Sequence, residues 1–122
     1  MAPNNHREIG QHYEQLAAQF LIKQGLTLVA KNVQARVGEL DLIMKDGKTL
    51  VFVEVKYRQN QRHGHAAESV TPQKQQRLIK TAYYWMQHNN LLNCQSDFRF
   101  DIIAIHQQGQ DIHWLKNAIT EG

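Results

Sequence analysis

The stretch GELDLIMKDGKTLVFVEVKYR, residues 38–58, decides how this chain is read. Two runs, Glu39 to Lys45 and Thr49 to Tyr57, flank Asp46-Gly47, a dipeptide that favours a tight hairpin because glycine adopts positive φ without steric cost. The pattern predicts two antiparallel strands. Leu50-Val51-Phe52-Val53 is apolar on both faces, as expected of a central strand covered from both sides. Alternation puts Glu54 and Lys56 on one face and Val53 and Val55 on the other. It likewise groups Glu39, Asp41 and Ile43 on the preceding strand. Pairing of the hairpin then lets Asp41 and Glu54 approach each other.

Charged side chains in such an apolar setting are costly to bury unless paired or bound to a metal. Two carboxylates ~4 Å apart repel by about 4 kcal/mol at an effective dielectric near 20. A shared proton or a divalent cation relieves that repulsion. Magnesium takes one or two carboxylates, keeps several waters and accepts phosphate oxygens. A lysine beside it can help deprotonate an attacking water or stabilise charge on a phosphate. Asp41, Glu54 and Lys56 therefore suit hydrolysis of a phosphodiester.

Working outward, Tyr13, Leu16, Ala17, Phe20 and Leu21 recur at helical spacing and predict a helix from Gly10 to Gln24, stopped by Gly25. Glu14 lies at the edge of its apolar stripe and points towards the body of the protein. Leu26 to Arg36 predicts a further strand, with Leu26, Leu28 and Ala30 alternating. Residues Gln59 to Ser69 are polar and predict a mobile loop. Thr71-Pro72 opens a second helix, with threonine as N-cap and proline at the first helical position. Leu78, Ala82, Trp85 and Met86 form its apolar face. Strands are expected from Phe98 to Ile105 and from Asp111 to Leu115. The resulting αβββαβ order, with a terminal strand, favours an α/β fold whose mixed central sheet is flanked by helices.

The chain has 122 residues, of which 42% are hydrophobic and 20% charged, enough for one core and too few for two. Residues 10–118 are expected to form a single domain, with 1–9 a flexible N-terminus and 119–122 a C-terminal tail. The net charge of +3 is compatible with a polyanionic partner. No apolar run approaches the ~20 residues that span a bilayer, and the N-terminus lacks a signal-peptide core, so a cytoplasmic protein with no membrane association is expected. The single cysteine, Cys94, cannot form an internal disulfide. His63 and His65 lack a third ligand in a recognised zinc pattern and read as solvated loop residues. Tyr83, Tyr84 and Trp85 read as core and rim packing. Arg99 and Asp101 share one strand face, either as a structural ion pair or as neighbours of the acidic site. No Gly-rich phosphate loop, Ser-x-x-Lys pair or dinucleotide fingerprint is present.

Asp41, the hairpin and Glu54-Val55-Lys56, preceded by a helix bearing Glu14, resemble the PD-(D/E)XK superfamily of restriction endonucleases and archaeal Holliday-junction resolvases. More narrowly, the chain resembles the YraN-like family of small bacterial endonuclease-like proteins. The matching pieces span about residues 10 to 105: Gly10, Glu14 and Ala18, Gly38 to Ile43, Phe52 to Arg58, Lys74, and Arg99-Phe100-Asp101. The resemblance implies a restriction endonuclease-like core, Asp41 and Glu54 as ligands of Mg2+ or Mn2+, Lys56 as the catalytic lysine, and Glu14 as the acid supplied by the first helix. Leu40 stands where the superfamily name has proline, which the chemistry does not require.

The expected activity is metal-dependent endonucleolytic cleavage of DNA, with branched or processing intermediates as substrates. Lys74 and Gln73, in the first turn of the second helix, together with Arg36 and Arg58, are the candidates for nucleic-acid binding. A non-catalytic nucleic-acid-binding protein that keeps the nuclease fold is the alternative. One short chain presents one active site, so cutting both strands of a duplex symmetrically calls for a homodimer.

Overall fold

The computed structural model describes residues 6–58, 70–89 and 97–119. The predicted 59–69 loop, with His63 and His65, and Cys94 lie outside these residues. The elements are α1 (His6–Lys23), β1 (Thr27–Ala35), β2 (Gly38–Asp46), β3 (Thr49–Arg58), α2 (Pro72–His88), β4 (Phe98–His106) and β5 (Asp111–Ile119). They form one sheet in the order β1-β2-β3-β4-β5. Every neighbouring pair is antiparallel except β3 with β4. Parallel neighbours need a crossover connection, and the segment carrying α2 supplies it.

The central strand reads as its sequence demands. Val51, Val53 and Val55 join Leu42, Met44, Ile103 and Ile105 in a core beneath Tyr13, Ala17, Ala18 and Leu21 of α1. Leu50 and Phe52 join Leu40, Ile43, Phe100 and Ile102 beneath Leu78, Ala82 and Met86 of α2. Leu40, at the position of the superfamily's proline, is buried core. Trp85 packs edge-on to Phe52, with ring centroids 6.1 Å apart, as expected of a rim residue.

Local signals place both helices. Gly25 takes φ 100°, and the amides of Leu26 and Gly25 donate to the carbonyls of Leu21 and Ile22. This closes α1 with a Schellman-type stop. Thr71 caps α2, its Oγ1 accepting from the Lys74 amide at 3.2 Å, with Pro72 following. Gly47 takes φ 63° in the β2–β3 turn.

Three sequence expectations need correction. The first helix begins at His6, so residues 6–9 are helical; Ile9 packs on the α1-side core and Glu8 sits in the positive first turn. β5 reaches Ile119, which pairs with Phe100 and is buried, so that residue is core and not tail. β1 starts at Thr27 and leaves Leu28 and Val29 exposed, because it is an edge strand with a register shift between Leu28 and Ala30.

The Arg99–Asp101 ambiguity resolves as structural. Asp101 is fully buried and accepts from Arg99 Nε at 3.1 Å, Trp114 Nε1 at 2.9 Å and the Asn117 amide at 2.9 Å. Arg99 also donates to Asp46 at 3.0 Å, tying the β2–β3 turn to β4. Among the described residues, no helix is long and apolar enough to cross a membrane.

Candidate active site

The site lies where the sheet divides. β2 and β3 pair from Asp46↔Thr49 to Leu42↔Val53, where their register ends. Beyond that point β2 continues with β1, through Leu40↔Val33 and Glu39↔Gln34. β3 continues with β4, from Glu54↔Ile102 to Arg58↔His106. Asp41 sits in this fork, and its Oδ2 accepts from the Val55 amide at 2.9 Å. A side chain thus occupies a donor that a neighbouring strand would otherwise satisfy. Leu40 and Ile43 both face the α2-side core, so strict alternation breaks around Asp41, and the expected grouping of Glu39, Asp41 and Ile43 on one face does not hold. Opposite, Asn32 adopts φ 55°, between the paired residues Lys31 and Val33.

A cleft of about 340 Å³ opens at the fork, lined by Gly10, Glu14, Glu39, Asp41, Glu54, Val55, Lys56, Tyr57, Arg58 and Lys74. It brings together Asp41, Glu54, Lys56, Glu14, Arg58 and Lys74 of the sequence-derived candidates. Gln73 lies instead in an adjoining cavity with Arg77, Gly38 and Glu39. Arg36 is exposed in the β1–β2 turn, outside the cleft lining, because that turn projects beyond the fork. A third cavity continues past Glu14 and Glu39 to His6, Arg7 and Gln11. Arg7, Asn32 and Arg77 were not distinguishable in the sequence from ordinary surface residues.

The electrostatics are those of crowded acids. Burial and then the charge of Glu54 push the Asp41 carboxyl up to about 8, against the partial relief of the Val55 hydrogen bond. Burial also raises Glu14, which forms side-chain hydrogen bonds with Asp41 and Asn32 and feels Glu39 and Glu54. Glu54, only 5% exposed, is held by two ammonium groups: Lys74 Nζ at 2.7 Å and Lys56 Nζ at 3.5 Å. Lys74, expected from the first turn of α2 to bind nucleic acid, is thereby a second lysine against Glu54.

The two lysines differ. Burial lowers the pKa of Lys56, and the proximity of Lys74 adds to that. Burial acts in the same sense on Lys74 but is outweighed by hydrogen bonds with Glu54 and Lys56 and by the charges of Glu54 and Asp41, so its pKa rises. The aromatic wall behind the cleft is fixed by Tyr57 stacking on Tyr13, with ring centroids 4.4 Å apart.

In chemistry the donors suit a hard divalent ion: Asp41, Glu54 and Glu14 carry the carboxylate oxygens that magnesium and manganese prefer. In geometry the three do not converge within 4.8 Å of one another, and Lys74 and Lys56 hold Glu54, so side-chain movement would be needed to close a site. A carboxyl forced up to about 8 is one that a cation would return to its ionised form.

A five-stranded mixed sheet between two helices, with an acid–acid–lysine set on β2 and β3, defines a restriction endonuclease-like α/β core. The chain belongs to the Uncharacterised protein family UPF0102, the YraN family, whose profile matches residues 13–105. It is 66% identical over 118 residues to a UPF0102 protein of Vibrio cholerae serotype O1, a match covering 97% of each chain. A UPF0102 protein of Vibrio vulnificus strain YJ016 is 50% identical over 118 residues, again 97% of each. One from Aliivibrio fischeri strain MJ11 is 50% identical over 118 residues, covering 97% of this chain and 96% of that one.

Proposed function

We propose that this protein is a divalent-metal-dependent endonuclease that hydrolyses phosphodiester bonds in DNA. The observation that carries the reading is the part-buried Asp41 carboxyl at the fork, fixed by the Val55 amide beside Glu54, which two lysines hold. Asp41 and Glu54 would hold Mg2+ or Mn2+, with Glu14 supporting Asp41. When bound, the ion supplies Lewis acidity at the phosphate and lowers the pKa of a coordinated water.

The chain's own groups do the rest. Lys56, with its lowered pKa, is suited to take a proton at Nζ from the attacking water. Lys74 keeps its proton and can pair with a non-bridging phosphate oxygen once its hold on Glu54 is released. Arg58 at the cleft, and Gln73 and Arg77 in the adjoining cavity, would bind backbone phosphates flanking the reacting group. Two copies would be needed to cut both strands symmetrically.

The test is cleavage of a panel of linear, flapped and four-way DNA substrates with Mg2+ or Mn2+. Glu54→Ala and Lys56→Ala should each lower the rate by about 100-fold or more. Activity that survives both substitutions removes the mechanism.

The short Lys74–Glu54 pair favours a second reading. An ammonium that already neutralises Glu54 lets the fold persist without a metal, as in a nucleic-acid-binding protein that has lost catalysis. Tight DNA binding without cleavage, at saturating Mg2+ and Mn2+, would select that reading.

A further inference from the structure

The β4–β5 hairpin carries a second convergence of side chains, with different chemistry. His106 ends β4 and pairs with Asp111, which begins β5; His113 follows opposite Ala104. Alternation places Asp111 and His113 on one face. The connecting turn is fixed by Gln108 and Gly109, at φ 58° and 100°. A Cβ on Gly109 would lie 2.9 Å from Leu16 Cδ1, so the turn is held closely against α1. The His106 side chain is fully buried, whereas Asp111 and His113 are 31% and 49% exposed. His113 Nε2 lies 2.9 Å from Asp111 Oδ1, and His106 Nδ1 lies 4.0 Å from Asp111 Oδ2. One donor atom from each of the three falls within 4.8 Å of the others. The two imidazoles meet edge-on, with centroids 5.9 Å apart.

We propose that His106, Asp111 and His113 form a site for a borderline transition-metal ion of the Zn2+ class. Two imidazole nitrogens and one carboxylate oxygen are donors such ions favour, and three protein ligands leave a coordination position for water or another ligand. Bonds of about 2.0–2.2 Å at tetrahedral angles separate ligand atoms by about 3.4 Å. One donor atom from each residue already lies within 4.8 Å of the others, so side-chain shifts of about 1 Å would bring them to that spacing. The ligand chemistry separates this trio from the Asp41–Glu54 cleft: the cleft offers oxygen donors for a hard cation, the hairpin offers nitrogen. The β3–β4 register sets His106 beside Arg58, which lines the cleft. A bound ion would therefore pin the β4–β5 hairpin one strand away from the acidic site.

Co2+, a coloured stand-in for Zn2+, provides the measurement on the untagged, demetallated full chain. With excess Mg2+ present to occupy the cleft, wild type should develop ligand-field absorption that saturates at one equivalent and is displaced by Zn2+. His113→Asn and Asp111→Asn alter part-exposed positions, and far-UV circular dichroism checks that both variants stay folded. Each should weaken binding by more than the roughly 10- to 100-fold typical of losing a group that only supports a ligand. The bands should persist in Glu54→Gln, which removes an acid of the cleft and leaves the hairpin intact. Absence of Co2+ and Zn2+ binding at micromolar concentration would overturn the proposal. So would binding that survives both hairpin substitutions, or binding abolished by Glu54→Gln.

Discussion

The Val55 amide donates to Asp41 Oδ2 at 2.9 Å, at the point where the β2–β3 register ends. That one bond ties the fold to the site. It compensates a strand donor at the fork, and it orients an acid beside Glu54. The remaining acceptor capacity of the same carboxyl is available to a cation.

The raised Asp41 pKa predicts how the metal-free protein responds to pH. The folded chain retains a proton that the unfolded chain releases near 3.8 and gives it up only near 8. Stability from this group is therefore full below the unfolded value and declines as pH rises through the folded one. Asp41→Asn keeps an acceptor for Val55 and carries no charge. With EDTA present, it should be more stable than wild type by about 1–3 kcal/mol at pH 8.5, the gap closing towards pH 4. Asp41→Ala, which strands the amide, should fall about 1–3 kcal/mol below Asp41→Asn. Urea unfolding at both pH values measures these differences; an Asn variant no more stable than wild type at pH 8.5 contradicts the crowding of acids.

Lys74 Nζ and a bound cation would compete for Glu54 Oε1, which the ammonium now approaches to 2.7 Å. Lys74→Met should tighten Mg2+ binding by roughly fivefold, the equivalent of about 1 kcal/mol for a partly exposed ion pair. Under the proposed activity, the same change should slow DNA cleavage, because the charge assigned to a phosphate oxygen is lost. Calorimetric titration showing unchanged Mg2+ affinity would place the metal elsewhere than on Glu54.

What was legible in the sequence was local. The Asp46-Gly47 turn, the Thr71 cap and the apolar Leu50–Val53 run each specify their own element within a few residues. Asp41, Glu54 and Lys56 could be grouped because one hairpin joins them. The fork was not legible, since alternation alone predicts a continuous ladder through Asp41 and Glu54. Neither was the Lys74–Glu54 pair, which depends on how α2 docks across the sheet. Arg36 and Arg58 look alike in sequence, yet only Arg58 reaches the cleft, because β3 continues beyond the fork while Arg36 occupies an outward turn. The histidines that converge, His106 and His113, are brought together by hairpin pairing and carry no zinc-like spacing.

Asp101 provides the contrasting prediction of a structural acid. It is fully buried and accepts from Arg99, Trp114 and Asn117. Asp101→Ala should cost about 3–5 kcal/mol, because Arg99 would be left partly buried without its main partner and two further donors without theirs. Arg99→Met should cost less, since Trp114 and Asn117 still satisfy the carboxylate. Thermal unfolding of both variants provides the comparison. A stable Asp101→Ala protein that no longer cleaves DNA would instead move Asp101 into the site.

DNA binding should follow the connected cavities. Lys74 and Arg58 line the cleft with the acids, Arg77 lines one adjoining cavity and Arg7 another. A duplex engaging about five phosphates loses affinity with a log–log salt slope of about −4 to −5. Substituting Ca2+ for Mg2+ during the titration serves to suppress the proposed cleavage while keeping a divalent ion available to the cleft. Arg58→Ala and Arg77→Ala should each make the slope shallower by about 1 and weaken binding similarly across sequences. Arg36→Ala should leave the slope as in wild type, because its turn lies outside the cleft. Equal effects from Arg36 and Arg58 would mean that the duplex does not lie along these cavities, whatever the acids bind.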